Sequence, residues 1–84
     1  MRFEVHWEDD DLAVLASLWL SAPDKMAVTR AQAAIDRLLA VDPIKNRTPL
    51  SEGIYAIEVH PLRVLYEINL ADRSVDVVAV KLLP

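Results

Sequence analysis

Leu62–Leu82 reads LRVLYEINLADRSVDVVAVKL, and its two halves carry the two-residue period of β structure. Leu62, Val64, Tyr66, Ile68 and Leu70 alternate with Arg63, Leu65, Glu67 and Asn69, which makes one face of the first half wholly apolar. Ala71-Asp72-Arg73-Ser74 supplies turn residues. Ser74–Leu82 then sets Val75, Val77 and Ala79 on one face and Val78, Val80 and Leu82 on the other. A strand apolar on both faces belongs in the middle of a sheet. Upstream, Ile54–His60 alternates Tyr55, Ile57 and Val59 against Ala56, Glu58 and His60, and His60-Pro61 turns it into Leu62. Three strands joined by turns this short form an antiparallel meander.

Working outward, Arg2–Trp7 has the same period, with Phe3, Val5 and Trp7 on the apolar side. The acidic run Glu8-Asp9-Asp10-Asp11 suits a helix start, where carboxylates accept from free amides and favour the positive end of the dipole. The spacing predicts a helix over Asp10–Leu20 that buries Leu12, Leu15, Ala16 and Trp19. Ser21 and Asp24 then stand at capping-box spacing before a second helix, Pro23–Ala40. Its inward stripe is Val28, Ala31, Ile35, Leu38 and Leu39, leaving Lys25, Arg30, Gln32, Asp36 and Arg37 to solvent. Asp42-Pro43 ends it, and Ile44–Gly53 reads as a polar loop with Lys45, Arg47 and the chain's one glycine.

An up-and-down helix pair brings the chain back to the end where the first strand stopped, so the next strand runs opposite to the first. The expected architecture is α+β, β-α-α-β-β-β: a four-stranded antiparallel sheet with a helical hairpin on one face, in a single domain over residues 1–84. Where the first strand joins the sheet is left open. Tyr55 and Tyr66 fall on the inward face, and Trp7 and Trp19 are expected between sheet and helices.

Composition bounds the chemistry. The 84 residues contain no cysteine, which excludes disulfides, thiolate metal sites and cysteine nucleophiles and points to the cytoplasm. No apolar run exceeds the five residues Leu12–Ala16, far from the roughly 20 that span a bilayer, so no membrane association is expected. The net charge of −4 opposes binding to ribosome or naked nucleic acid, which draws on clustered Lys and Arg. The two histidines, His6 and His60, are read as solitary surface residues, and no metal or other cofactor is expected. Arg63 has a plain structural use as a cross-strand partner of Glu58 or Glu67.

The segment Leu62-Arg63-Val64-Leu65-Tyr66-Glu67-Ile68, followed by a short turn and Val75–Val80, resembles the Y-R-[VL]-[LV]-Y-x-[IV] segment and last strand of the RelE/ParE family of type II toxins. Ala33–Pro43 is similar to that family's second helix, which ends in Leu-x-x-x-Pro, here Leu39 to Pro43. The likeness runs from Phe3 to Lys81. It implies a toxin-like fold and a function of one of two kinds, mRNA cleavage on the ribosome or inhibition of DNA gyrase, with neutralisation by a partner antitoxin.

RNA cleavage by such a protein requires cations aimed at the charge developing on phosphate and a group to move protons. The resemblance places an arginine at Arg63, a lysine or other polar catalytic residue on the strand Ile54–His60, and a basic and aromatic cluster after the last strand. Here that strand offers Glu58 and His60, and the sequence stops at Lys81-Leu82-Leu83-Pro84, so the cluster is not expected. The expected function is therefore that of a toxin-family protein acting through protein binding, with an antitoxin as partner. Two alternatives stay open. One is an active mRNA endoribonuclease using Arg63, Lys81, His60 and Glu58. The other is a homodimeric interaction module joined through an apolar edge at Val80–Leu83.

Overall fold

A computed structural model describes residues 2–45 and 47–84. The elements run β1 (Glu4–Trp7), α1 (Asp9–Ser21), α2 (Lys25–Val41), β2 (Thr48–Ser51), β3 (Ile54–Val59), β4 (Leu62–Asn69) and β5 (Ser74–Leu82). The meander expected over β3, β4 and β5 is present and antiparallel, and the two helices pack on one face of the sheet. The fold is α+β.

The sheet has five strands, in the order β1-β5-β4-β3-β2, where four were expected. The additional strand lies inside the segment read as a polar loop. Thr48–Ser51 contains Pro49, is exposed throughout and has no alternation, so nothing in its pattern marks a strand. It forms because the Glu52–Gly53 turn folds it back on β3, with Gly53 at φ 78, a conformation glycine adopts without a Cβ penalty. Pro49 is tolerated because β2 is an edge strand. One more strand reverses the direction of every strand after it. β1 accordingly runs parallel to β5, pairing Val5 with Val75 and Trp7 with Val77, which corrects the all-antiparallel expectation.

β5 also departs from plain alternation. The β4–β5 register shifts between Leu65 and Tyr66, whose partners are Ala79 and Val77, leaving Val78 as the extra residue of a bulge. Val75 and Val77 therefore point at the helices, Val78 is 42% exposed, and Val80 and Leu82 resume the inward side. The two apolar faces read from the sequence are mostly a single apolar face interrupted by a bulge.

Val28, Ile35, Leu39, Leu62, Val64, Tyr66, Val75 and Val77 form the fully buried centre. Tyr66 stacks on Tyr55, with ring centroids 6.1 Å apart, and its hydroxyl donates to the Pro43 carbonyl at 2.6 Å. Trp7 packs between sheet and helices, and its indole N–H donates to Asp36 Oδ1 at 2.7 Å, so Asp36 is not the free surface charge expected of it. In α1 the buried face is Leu15, with Leu18 partly buried against the core, whereas Leu12, Ala16 and Trp19 are turned toward solvent. Trp19 instead lies on the outer side, with Lys25 Nζ 5.6 Å from its ring centre and its N–H on Thr29 Oγ1. The cap of α2 is Asp24, which accepts from the Ala27 amide at 3.1 Å, while Ser21 Oγ donates back to the carbonyls of Ser17 and Leu18. Leu38 and Leu70, expected inside, are exposed; Leu70 lies beyond the end of β4. No helix is long and apolar enough to cross a membrane among the described residues.

Candidate functional site

Strand register assembles three of the four residues singled out from the sequence. Glu58 on β3 is opposite Arg63 on β4, and Arg63 is opposite Lys81 on β5. Because Leu62, Val64 and Tyr66 face the helices, the alternate residues put this row on the opposite, helix-free face of the sheet. Arg63 Nε lies 3.6 Å from Glu58 Oε2, with the two side chains 28% and 54% exposed. That distance makes an ion pair without a hydrogen bond, and Arg63 Nε is itself shielded from solvent with no hydrogen-bond partner among the described residues.

Arg63 and Lys81 flank a hollow of about 220 Å³ whose remaining lining is Leu65, Ala79 and Val80. Leu65 and Ala79 are themselves register partners, with Ala56 next in the row on β3. One row further along, Glu67 pairs with Asp76, and Asp76 with His6 on β1. The face thus carries a row with two cations and one carboxylate, then an apolar row, then an acidic row.

His60 stands apart. It is exposed at the β3–β4 turn and lines a separate hollow of about 300 Å³ with Ala22, Pro23, Asp24, Ala27 and the segment Leu82–Pro84. Three of the four residues share a site, and the fourth does not. Glu58, the carboxylate of the row, is held by Arg63, so an acid and a base are not brought together across the hollow. What the row offers chemically is attraction for a single anionic group beside an apolar floor.

A further basic residue was missed as part of an ordered structure. Arg47, placed in the loop by the sequence, lies beside the Tyr66 hydroxyl and Asp42 and lines a third hollow with Leu38, Thr48 and Glu58. Asp42 accepts from the amides of Ile44 and Lys45, and the Lys45 contact is the main cause holding its carboxyl below the usual range. Asp-Pro followed by two loop residues is a turn signal that could have marked this as built structure.

No protein-family model and no curated protein matches the sequence. Solved structures do match in shape. The RelBE2 toxin–antitoxin complex of Mycobacterium tuberculosis superposes with a TM-score of 0.80 at 16% identity, covering 98% of this chain and 92% of that one. The RelE–RelB complex of the archaeon Pyrococcus horikoshii gives 0.69 at 19% identity, over 98% and 96%. An E. coli RelE toxin mutant in the free state gives 0.72 at 15% identity, over 95% and 82%. The chain has the RelE-like fold.

Proposed function

We propose that this chain is a RelE-like member of a toxin–antitoxin pair that works by binding a partner protein, with the ribonuclease chemistry of the fold reduced or lost. The observation that carries the reading is the state of Arg63. Its charge is engaged by Glu58 in the same row, and the next charged row on that face is Glu67 and Asp76. A phosphate approaching Arg63 and Lys81 meets three carboxylates for two cations, and no proton-transfer pair spans the hollow. The fold itself is shared with proteins solved as complexes with an antitoxin, which supports a protein partner.

Co-expression with the product of the adjacent small open reading frame tests this. A stable complex and harmless expression of the chain alone are the expected results; failure to co-purify counts against it. The second reading, mRNA cleavage, draws on the hollow between Arg63 and Lys81. It predicts growth arrest on induction, relieved by Arg63→Ala.

A further inference from the structure

We infer that the helix-free face of the sheet is a self-complementary surface, and that its occupant is a second copy of this chain. Three consecutive rows carry the argument. On β4 and β5, Arg63 and Lys81 form one, with Glu58 beside them on β3, Leu65 and Ala79 the next, Glu67 and Asp76 the third. Alternate residues of a strand are about 7 Å apart, so on β4 Arg63 and Glu67 lie at similar distances on either side of Leu65, while on β5 the bulge residue Val78 is inserted between Ala79 and Asp76. The pattern reverses its sign across that row.

Such a pattern fits one operation in particular. A two-fold axis lying in the interface along the Leu65–Ala79 row inverts each strand's direction while keeping β4 over β4 and β5 over β5. The second copy's Glu67 then meets Arg63, its Asp76 meets Lys81, and the two reciprocal contacts form at the same time. This is the isologous arrangement in which residue i meets j and j meets i. Face-to-face sheets pack about 10 Å apart, a gap that Leu65 from each side fills and that Arg and Lys side chains span. A polyanion is a poor occupant, because Glu58, Glu67 and Asp76 outnumber Arg63 and Lys81 on the same face. The Arg63 guanidinium, which Glu58 meets only as a 3.6 Å ion pair, gains a second carboxylate in the dimer. The contact also closes the hollow beside Arg63 and Lys81, so self-association and access to that hollow exclude each other.

The test is a reciprocal charge swap followed by sedimentation equilibrium. Wild type is expected to dimerise reversibly, more weakly as salt rises. The acidic variant R63E/K81E and the basic variant E67K/D76K should each associate at least tenfold more weakly than wild type. Mixed in equal amounts, they should form a heterodimer of near wild-type affinity, since one reciprocal set of contacts keeps its polarity and the other is restored with the polarity reversed. Circular dichroism checks that each variant folds, and should either double swap misfold, the single swaps K81E, at an exposed position, and D76K, at a half-buried one, are mixed instead. A wild type that stays monomeric at every concentration it can reach overturns the inference. So does dimerisation indifferent to the swaps, or a mixture of folded variants that remains monomeric.

Discussion

Tyr66, at the centre of β4, donates its hydroxyl to the carbonyl of Pro43, 23 residues earlier, at 2.6 Å. The core is thereby tied to the segment that leads from α2 into β2, and both residues are fully buried. Tyr66→Phe keeps the ring stack on Tyr55 and removes the donor, leaving a buried carbonyl without its partner. Denaturant unfolding should show a loss of about 1–3 kcal/mol with an unchanged m-value. An unchanged midpoint would mean that the bond contributes nothing net.

The same hydroxyl makes the fold sensitive to alkali. Burial, opposed by nearby Arg47, raises the Tyr66 pKa from 10.0 to about 12. The unfolded chain loses this proton first, so stability from the neutral phenol is full below pH 10 and is lost as pH rises toward 12. The loss should be on the order of 2 kcal/mol across that window. Tyr66→Phe should flatten it, which thermal melts at stepped pH will show by comparison with wild type.

Trp7 and Asp36 join β1 to α2 by the 2.7 Å bond from the indole. Asp36→Ala leaves that N–H without its acceptor in a partly buried setting and should cost about 1–3 kcal/mol, whereas Asp36→Asn keeps an acceptor and should cost less. Melting temperature separates the two. Equal losses would assign the effect to packing of the side chain and not to the bond.

The meander and the α+β class were legible because Leu62, Val64 and Tyr66 alternate cleanly and short turns leave few ways to connect them. The row of Glu58, Arg63 and Lys81 was half legible: a hairpin turning at His60-Pro61 pairs Glu58 with Arg63, but the β4–β5 register depends on the bulge at Val78. β2 was not legible, since Pro49 and full exposure erase the pattern that marks strands, and its omission alone inverted the direction expected for β1. The α1 stripe was misplaced because this helix is apolar nearly all round, so that Leu12 and Trp19 compete with Leu15 and Leu18 for the inward side. Strand parity alone puts His60 with Glu58, whereas the turn carries it toward the α1–α2 connection.

The bulge gives neighbouring valines different energetic roles. Val77 is completely buried and Val78 is 42% exposed. Val77→Ala should cost roughly 1–3 kcal/mol through lost burial and a residual cavity. Val78→Ala should stay within about 0.5 kcal/mol, as for other surface changes. An unbulged strand continuing the inward phase of Val80 and Leu82 would instead bury Val78 and expose Val77, so reversed costs would refute the β4–β5 register.

The Glu58–Arg63 pair separates stability from function most cleanly. Both side chains are partly exposed and no hydrogen bond joins them, so the pair contributes less than about 1 kcal/mol. Arg63→Ala and Glu58→Gln should each leave the unfolding midpoint nearly unchanged, and any effect they have in cells then reports on the site alone. Glu58→Gln is the informative one. It releases Arg63 from its carboxylate and leaves two cations beside an apolar floor, the arrangement that favours an anionic ligand. Under the binding reading, induced Glu58→Gln should leave growth as unaffected as wild type does, because no proton-transfer pair is created. Growth arrest that appears only with Glu58→Gln, and disappears again when Arg63→Ala is added, would instead show that Glu58 restrains an otherwise competent phosphate site.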